Sequence, residues 1–211
     1  MTKTERLEHI LNHFNAQQPE ITTELTYGST FQLLCAVVLS AQCTDKRVNM
    51  VTPALFSRFP SAKDMAQAEA GDILNYIASV SYPNAKAGHL AAMAKKLVEN
   101  FGGEVPETMD ELTSLPGVGR KTANVMLAVA FGKAAMPVDT HVFRVSHRLK
   151  LVPKTADTPE KVERHLTRLI PGHLLSKAHH WLLLHGRYTC TARKAHCEKC
   201  EIADFCPSKN V

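Results

Sequence analysis

Four of the six cysteines crowd near one end of the chain: Cys190, Cys197, Cys200 and Cys206, with six, two and five residues between them. Four thiolates so spaced suit either a zinc ion or a [4Fe–4S] cluster. A zinc site more often has two close pairs, and only Cys197 and Cys200 form one, so spacing alone leaves the metal open. Disulfide pairing fits a cytosolic chain poorly. A second chemical feature is Leu115-Pro116-Gly117-Val118-Gly119-Arg120-Lys121-Thr122-Ala123. Pro116 stops one helical segment, and Gly117 and Gly119 let the backbone turn tightly and lie bare of side chains. The helix that follows opens with unpaired amides at the positive end of its dipole, a ready anion site, and Arg120 and Lys121 add charge. An ordinary helical connection and a clamp for DNA phosphates both fit this stretch; the clamp would hold backbone without reading sequence. Asp139, just ahead of a helical pattern from Thr140, suits an N-cap.

The elements that must position these groups read as helices. Leu7, Ile10, Leu11 and Phe14 mark one helical face. Phe31 to Ala41 is apolar nearly all round, which predicts a central helix. Thr44-Asp45 caps a helix toward Phe56, and Phe59-Pro60-Ser61 breaks the chain before another capped start. Further helices fit residues 72–78, 85–100, 109–115, 121–131, 140–149, 158–169 and 176–185. Gly102-Gly103, Pro153 and Pro171-Gly172 punctuate them. No segment alternates as a strand does and no repeat recurs, so the fold class is all-α. Cys35 and Cys43, eight residues apart, would sit roughly 12 Å apart along a helix, too far for a disulfide. Both read as unpaired, with Cys35 a small core residue.

Hydrophobic residues make up 45% of the 211 and charged residues 21%, which excludes a disordered or low-complexity chain. The longest uncharged stretch, Leu25 to Thr44, is polar through its first half and too short in apolar residues to span a bilayer. The N-terminus lacks an apolar run, so cytosol is the expected compartment. The formal charge is +5, and all of that excess lies beyond residue 100. Such a field suits a polyanion, though a merely solvated surface fits it too.

Leu115-Pro-Gly-Val-Gly119 resembles the helix–hairpin–helix of DNA glycosylases, and Val138-Asp139-Thr140-His141 follows at that superfamily's spacing. With Leu39-Ser40-Ala41-Gln42, Gly117 to Ala123, Ala130-Phe131-Gly132 and Leu184 to Cys190, the resemblance spans essentially the whole chain and is to the endonuclease III family. That family comprises bifunctional glycosylases and abasic-site lyases for oxidised pyrimidines. The resemblance implies two helical domains flanking a DNA cleft, residues 23–133 and residues 1–22 plus 134–211. It implies a partner, duplex DNA carrying an oxidised pyrimidine or abasic site, and a monomer with no membrane attachment, nucleoid-associated if bacterial.

The resemblance makes Lys121 the catalytic lysine. A lysine amine can attack the sugar at C1′, form a Schiff base and draw off electrons for β-elimination. At an ordinary pKa of about 10.4, roughly 1 in 2,500 amines is neutral at pH 7, so the site must favour the neutral form. Arg120 cannot lose its proton, and Lys133 suits a solvated charge at a helix end. By the same resemblance Asp139 stabilises positive charge on the sugar, which an N-cap role does not preclude. The cysteine spacing is the one this family uses for [4Fe–4S], held by Cys190, Cys197, Cys200 and Cys206. Base excision and β-elimination transfer no net electrons to the protein, so the cluster's expected role is structural. Gly117 and Gly119 would hold phosphate, and Arg193 and Lys194 in the cysteine loop, beside His196 and with Lys199 beyond, would give a second phosphate contact. Gln42 would fill the gap left by a flipped nucleotide, or simply end its helix. His141 would line the base pocket or pack in its helix start. His179, His180 and His185 suit helix packing rather than metal binding.

One stretch departs from the family. Where the family shows Gly, an apolar or aromatic residue and a run ending Lys-Ala, this chain reads Ser81-Tyr82-Pro83-Asn84-Ala85-Lys86-Ala87. Tyr82 takes the position that wedges into DNA, and Pro83 is expected to hold Tyr82 extended. Two rivals remain open. An adenine mismatch glycosylase usually lacks the lysine and carries a further domain. A non-catalytic helix–hairpin–helix module would not need Lys121 and Asp139 together.

Overall fold

A computed structural model describes residues 1–209; positions 210 and 211, the end of the second expected domain, lie outside the described residues. Thr2 opens the first helix through a capping box: its hydroxyl accepts from the Glu5 N–H at 3.2 Å, and the Glu5 carboxylate accepts from the Thr2 N–H at 2.8 Å. This helix, α1 (Lys3–Gln17), buries Leu7, Ile10, Leu11 and Phe14, the face its spacing predicts. Then follow α2 (Thr30–Ser40), α3 (Asp45–Arg58), α4 (Ala62–Ala66), α5 (Ala70–Ile77), α6 (Pro83–Phe101), α7 (Met109–Ser114), α8 (Arg120–Val125), α9 (Thr140–Arg148), α10 (Pro159–Leu169) and α11 (Leu175–Leu184). The Thr44 hydroxyl caps α3 by accepting from the Arg47 N–H at 3.2 Å, and Gly102 at φ +65 ends α6. No β-strand forms among the described residues; an isolated bridge pairs Cys190 with Ala195. The fold is all-α. No helix among the described residues is long and apolar enough to cross a membrane.

Chain contacts define two units: Glu24–Phe131, and Met1–Thr23 with Gly132–Val211. In the first, α2 is the hub. Leu33, Leu34, Cys35, Ala36 and Leu39 are wholly buried, as expected of a helix apolar on all sides. Burial drives the Cys35 thiol far up, so it packs as a small hydrophobe. The long α6 lies against α2, α4 and α5 and buries Ala87, Leu90, Ala91, Met93, Ala94 and Leu97. In the second unit α1, α9, α10 and α11 contribute to one core that includes Trp181. Phe14 stacks 6.1 Å from its ring, and the indole N–H donates to the Gln18 carbonyl at 3.1 Å, which satisfies the polar end of a buried aromatic.

Two helices end differently from their hydrophobic pattern. After Val125, α8 widens into a π-helical turn, Met126–Ala130, and α11 does the same at His185–Thr189, running directly into Cys190. A π turn carries one more residue per hydrogen bond, and apolar spacing does not distinguish it from α.

Candidate functional site

The hairpin is held from below by its apolar residues. Leu115 and Val118 are buried, and the Val118 N–H closes the turn onto the Leu115 carbonyl at 3.1 Å. Between them Gly117 adopts φ +77, and a Cβ there would lie 2.9 Å from the Cβ of His89. Both conformation and space therefore require glycine. Gly119 is the N-cap of α8, and no side chain caps that helix. The surface over Gly119 is open, with no atom within 4 Å of an added Cβ. Backbone amides at a helix start can receive an anion. Lys121, exposed, is the second residue of α8.

Asp139 caps α9. Its Oδ1 accepts from the N–H groups of His141 at 2.9 Å and Val142 at 2.8 Å. Both cap bonds fall on one oxygen, so capping does not use Oδ2. An open pocket lined by Val138, Asp139, Thr140, Phe143, Asp157 and Pro159 adjoins it. His141 sits in the first turn of α9, its Nδ1 3.2 Å from the Arg144 guanidinium. Gly186 presses on it so closely that a Cβ would come within 2.9 Å of the His141 Cβ.

Gln42 and Tyr82, both exposed, adopt φ +51 and +54. Of the non-glycine residues described, only Lys150 joins them in the left-handed region, where an L side chain costs roughly 1–2 kcal/mol. The extended backbone expected of Tyr82 is therefore corrected: φ 54, ψ 51 is left-handed. Proline disfavours the right-handed helical conformation before it, which leaves more than one alternative. Here the choice is set by α6, whose first turn closes when the Tyr82 carbonyl accepts from the Lys86 N–H at 3.2 Å. The side chain that results is 66% exposed.

Cys190, Cys197, Cys200 and Cys206 line one pocket with Arg148 and His185, and none is in a disulfide. Burial, and then the neighbouring cysteines, push the Cys200 and Cys206 thiols upward. Thiolates gathered so would repel one another without a cation among them, which fits a metal group. Among the described residues no three His, Cys, Asp or Glu side chains form a site for a single metal ion. From α9, Arg148 donates to the Cys190 sulfur at 3.3 Å and the Thr191 carbonyl at 2.7 Å, and Arg144 to the Gly186 carbonyl at 2.7 Å. The Thr191 hydroxyl donates to the Lys194 carbonyl at 2.6 Å, and Arg193 and Lys194 are exposed on this loop. His179 Nδ1 lies 2.9 Å from the Pro137 carbonyl and His180 Nδ1 2.9 Å from that of Ser176, in keeping with packing. His185 is less remote from the cysteines: its Nε2 is 3.9 Å from the Cys200 sulfur, and burial pushes its pKa down to about 4. Arg144, Arg148 and Lys86 escaped the reading by motif. Lys86 had a signal, since it lies four residues before Leu90 on the apolar face of α6.

The profile of the HhH-GPD superfamily of base excision DNA repair proteins matches residues 35–172. Fold and site thus define a base excision DNA repair glycosylase of the helix–hairpin–helix class. Endonuclease III of Haemophilus influenzae is 44% identical over 209 residues, 99% of this chain and 98% of its own. That of Escherichia coli K12 is 44% identical over the same shares. A solved structure of endonuclease III trapped as a covalent intermediate with DNA matches at a TM-score of 0.91 and 38% identity, covering 99% of this chain and 98% of that one. The chain belongs to the endonuclease III family.

Proposed function

We propose that this protein excises oxidised pyrimidines from duplex DNA and cuts the strand at the resulting abasic site through a Schiff base on Lys121. The observation that carries this is the placement of Lys121 in the first turn of α8, directly after the bare hairpin of Gly117 and Gly119. A nucleophile fixed beside a phosphate-holding turn is held near the sugar it must attack. The neutral amine attacks C1′ and the base leaves with its bonding electrons, taking up the proton the attacking amine gives up; the C1′–O4′ bond then breaks, O4′ takes a proton from water, and the opened sugar becomes an iminium on Lys121. Loss of a proton from C2′ then expels the 3′ phosphate, and water releases the lysine. Asp139 supports positive charge on the sugar with the oxygen its cap leaves aside. The sugar is unreachable within the base stack, so the nucleotide is flipped out. Tyr82 and Gln42 enter the stack, and Arg193 and Lys194 hold backbone phosphate. His141 borders the base.

Cys190, Cys197, Cys200 and Cys206 would hold a [4Fe–4S] cluster, which supplies a rigid tie for the tail rather than an electron to this reaction. Arg148, which donates to the Cys190 sulfur, would help hold that ligand in place. The working form is a monomer in the cytoplasm, nucleoid-associated if the source is bacterial. Borohydride reduction of the protein on an abasic duplex tests the reading: a covalent adduct supports it. Tight binding without an adduct leaves only a DNA-binding module.

A further inference from the structure

Among the described residues Lys86 is the only buried Lys, Arg, Asp or Glu, at 5% exposure. Its Nζ donates to the carbonyls of Leu39 at 2.8 Å and Ala41 at 2.7 Å. Both lie at the C-terminal end of α2, where helix carbonyls lack intrahelical donors and a cation is favoured. The carbonyl between them, that of Ser40, accepts from the Cys43 N–H at 3.0 Å. This closes a turn with Ala41 at φ −57, ψ 116 and Gln42 at φ +51, the pattern of a type II turn, whose third position favours glycine. Gln42 thus stands where its side chain is conformationally disfavoured, and the ammonium grips the carbonyl immediately before it. The same residue reaches the other strained position through its backbone, since its N–H closes the first turn of α6 on the Tyr82 carbonyl at 3.2 Å. Burial pushes the amine below its ordinary value, and Cys43 nearby works in the opposite direction.

We propose that Lys86 is a positioning residue that locks the Gln42 turn and the Tyr82 turn into one rigid unit, so that both side chains enter a duplex together. The inference rests on the reading that Gln42 and Tyr82 touch DNA, and it adds a device for strain held at a functional site. A lysine that merely stabilised α2 would affect duplex and single-stranded substrates alike.

The test is the ratio of single-turnover excision from a lesion duplex to cleavage of a single-stranded abasic oligonucleotide. Lys86→Met is expected to lower that ratio about tenfold to a hundredfold, the scale of loss when reacting groups are misplaced. Lys86→Arg, which keeps the donors, recovers most of it. In a Gln42→Ala/Tyr82→Ala background, Lys86→Met lowers the ratio by no more than about twofold, the scatter of uncoupled changes. An unchanged ratio in Lys86→Met, or an equal fall repeated in the double background, overturns the assignment. If Lys86→Met does not fold, Lys86→Gln carries the same test with an intermediate fall expected, and a wild-type ratio overturns it. Failure of the unmodified protein to excise or cleave at all overturns the functional reading itself, and this inference with it.

Discussion

The proposed role gives the Asp139 carboxylate two tasks, and its cap occupies only one oxygen. Oδ1 accepts both amides of the α9 cap, so the proposed support of the sugar falls to Oδ2. Asn keeps a carbonyl oxygen for the cap, and the two residues cap helices about equally well. Asp139→Asn should therefore leave the melting temperature nearly unchanged while excision slows by about 10²–10⁴-fold, the usual worth of a positioned acid or base. Calorimetry beside single-turnover kinetics reads both; near-normal excision would reduce Asp139 to a cap. The cap was legible in the sequence because Asp stands just before a helical pattern. The division between oxygens was not, because residue type carries no information about which atom bonds. Lys86 was hidden for a related reason. Its place on the apolar face of α6 marks Lys86 as unusual, but the carbonyls its ammonium meets are brought from α2 by the fold.

At the scale of elements, the hairpin is the part most fully determined by its own residues. Gly117→Ala forces an L residue to φ +77 against the Cβ of His89. The left-handed backbone alone costs about 1–2 kcal/mol, and the collision meets the root of a side chain, which cannot swing aside. The variant should melt several degrees lower and bind duplex DNA more weakly; unchanged binding would detach the hairpin from DNA contact. The wedge turn carries a second prediction. Tyr82→Ala should weaken binding to lesion duplexes by about 1–3 kcal/mol, the worth of a base–aromatic stack, and slow excision from them, while cleavage of single-stranded abasic DNA falls much less. Equal losses, or none, would show that Tyr82 is no wedge. Periodicity made the helices legible from Leu7 to His185, and capping residues such as Thr44 located their starts. The left-handed Tyr82 and the π turns after Val125 and Leu184 were not legible. Proline excludes one backbone region without choosing among the others, and a single π turn is too short for its wider period to show in apolar spacing.

For the whole molecule, the cysteine tail and the catalytic residues make separable claims. Purified protein should be yellow-brown and carry about four irons per chain, as a [4Fe–4S] cluster requires; stoichiometric zinc without iron would sink that assignment. Cys200→Ser should lower yield and melting temperature before it lowers the rate per folded molecule. The cysteine spacing announced a metal group, but whether zinc or iron depended on family resemblance, since four thiolates suit both. The central claim is that Lys121 is the amine that joins the sugar. Borohydride reduction of unmodified protein and of Lys121→Gln on the same abasic duplex, with mass analysis of the adduct, tests it most directly. The unmodified protein should be captured with its DNA-bearing peptide ending at Lys121, and Lys121→Gln should bind the duplex yet give no adduct. Normal trapping in Lys121→Gln, or an adduct mapped to another amine, would contradict the account.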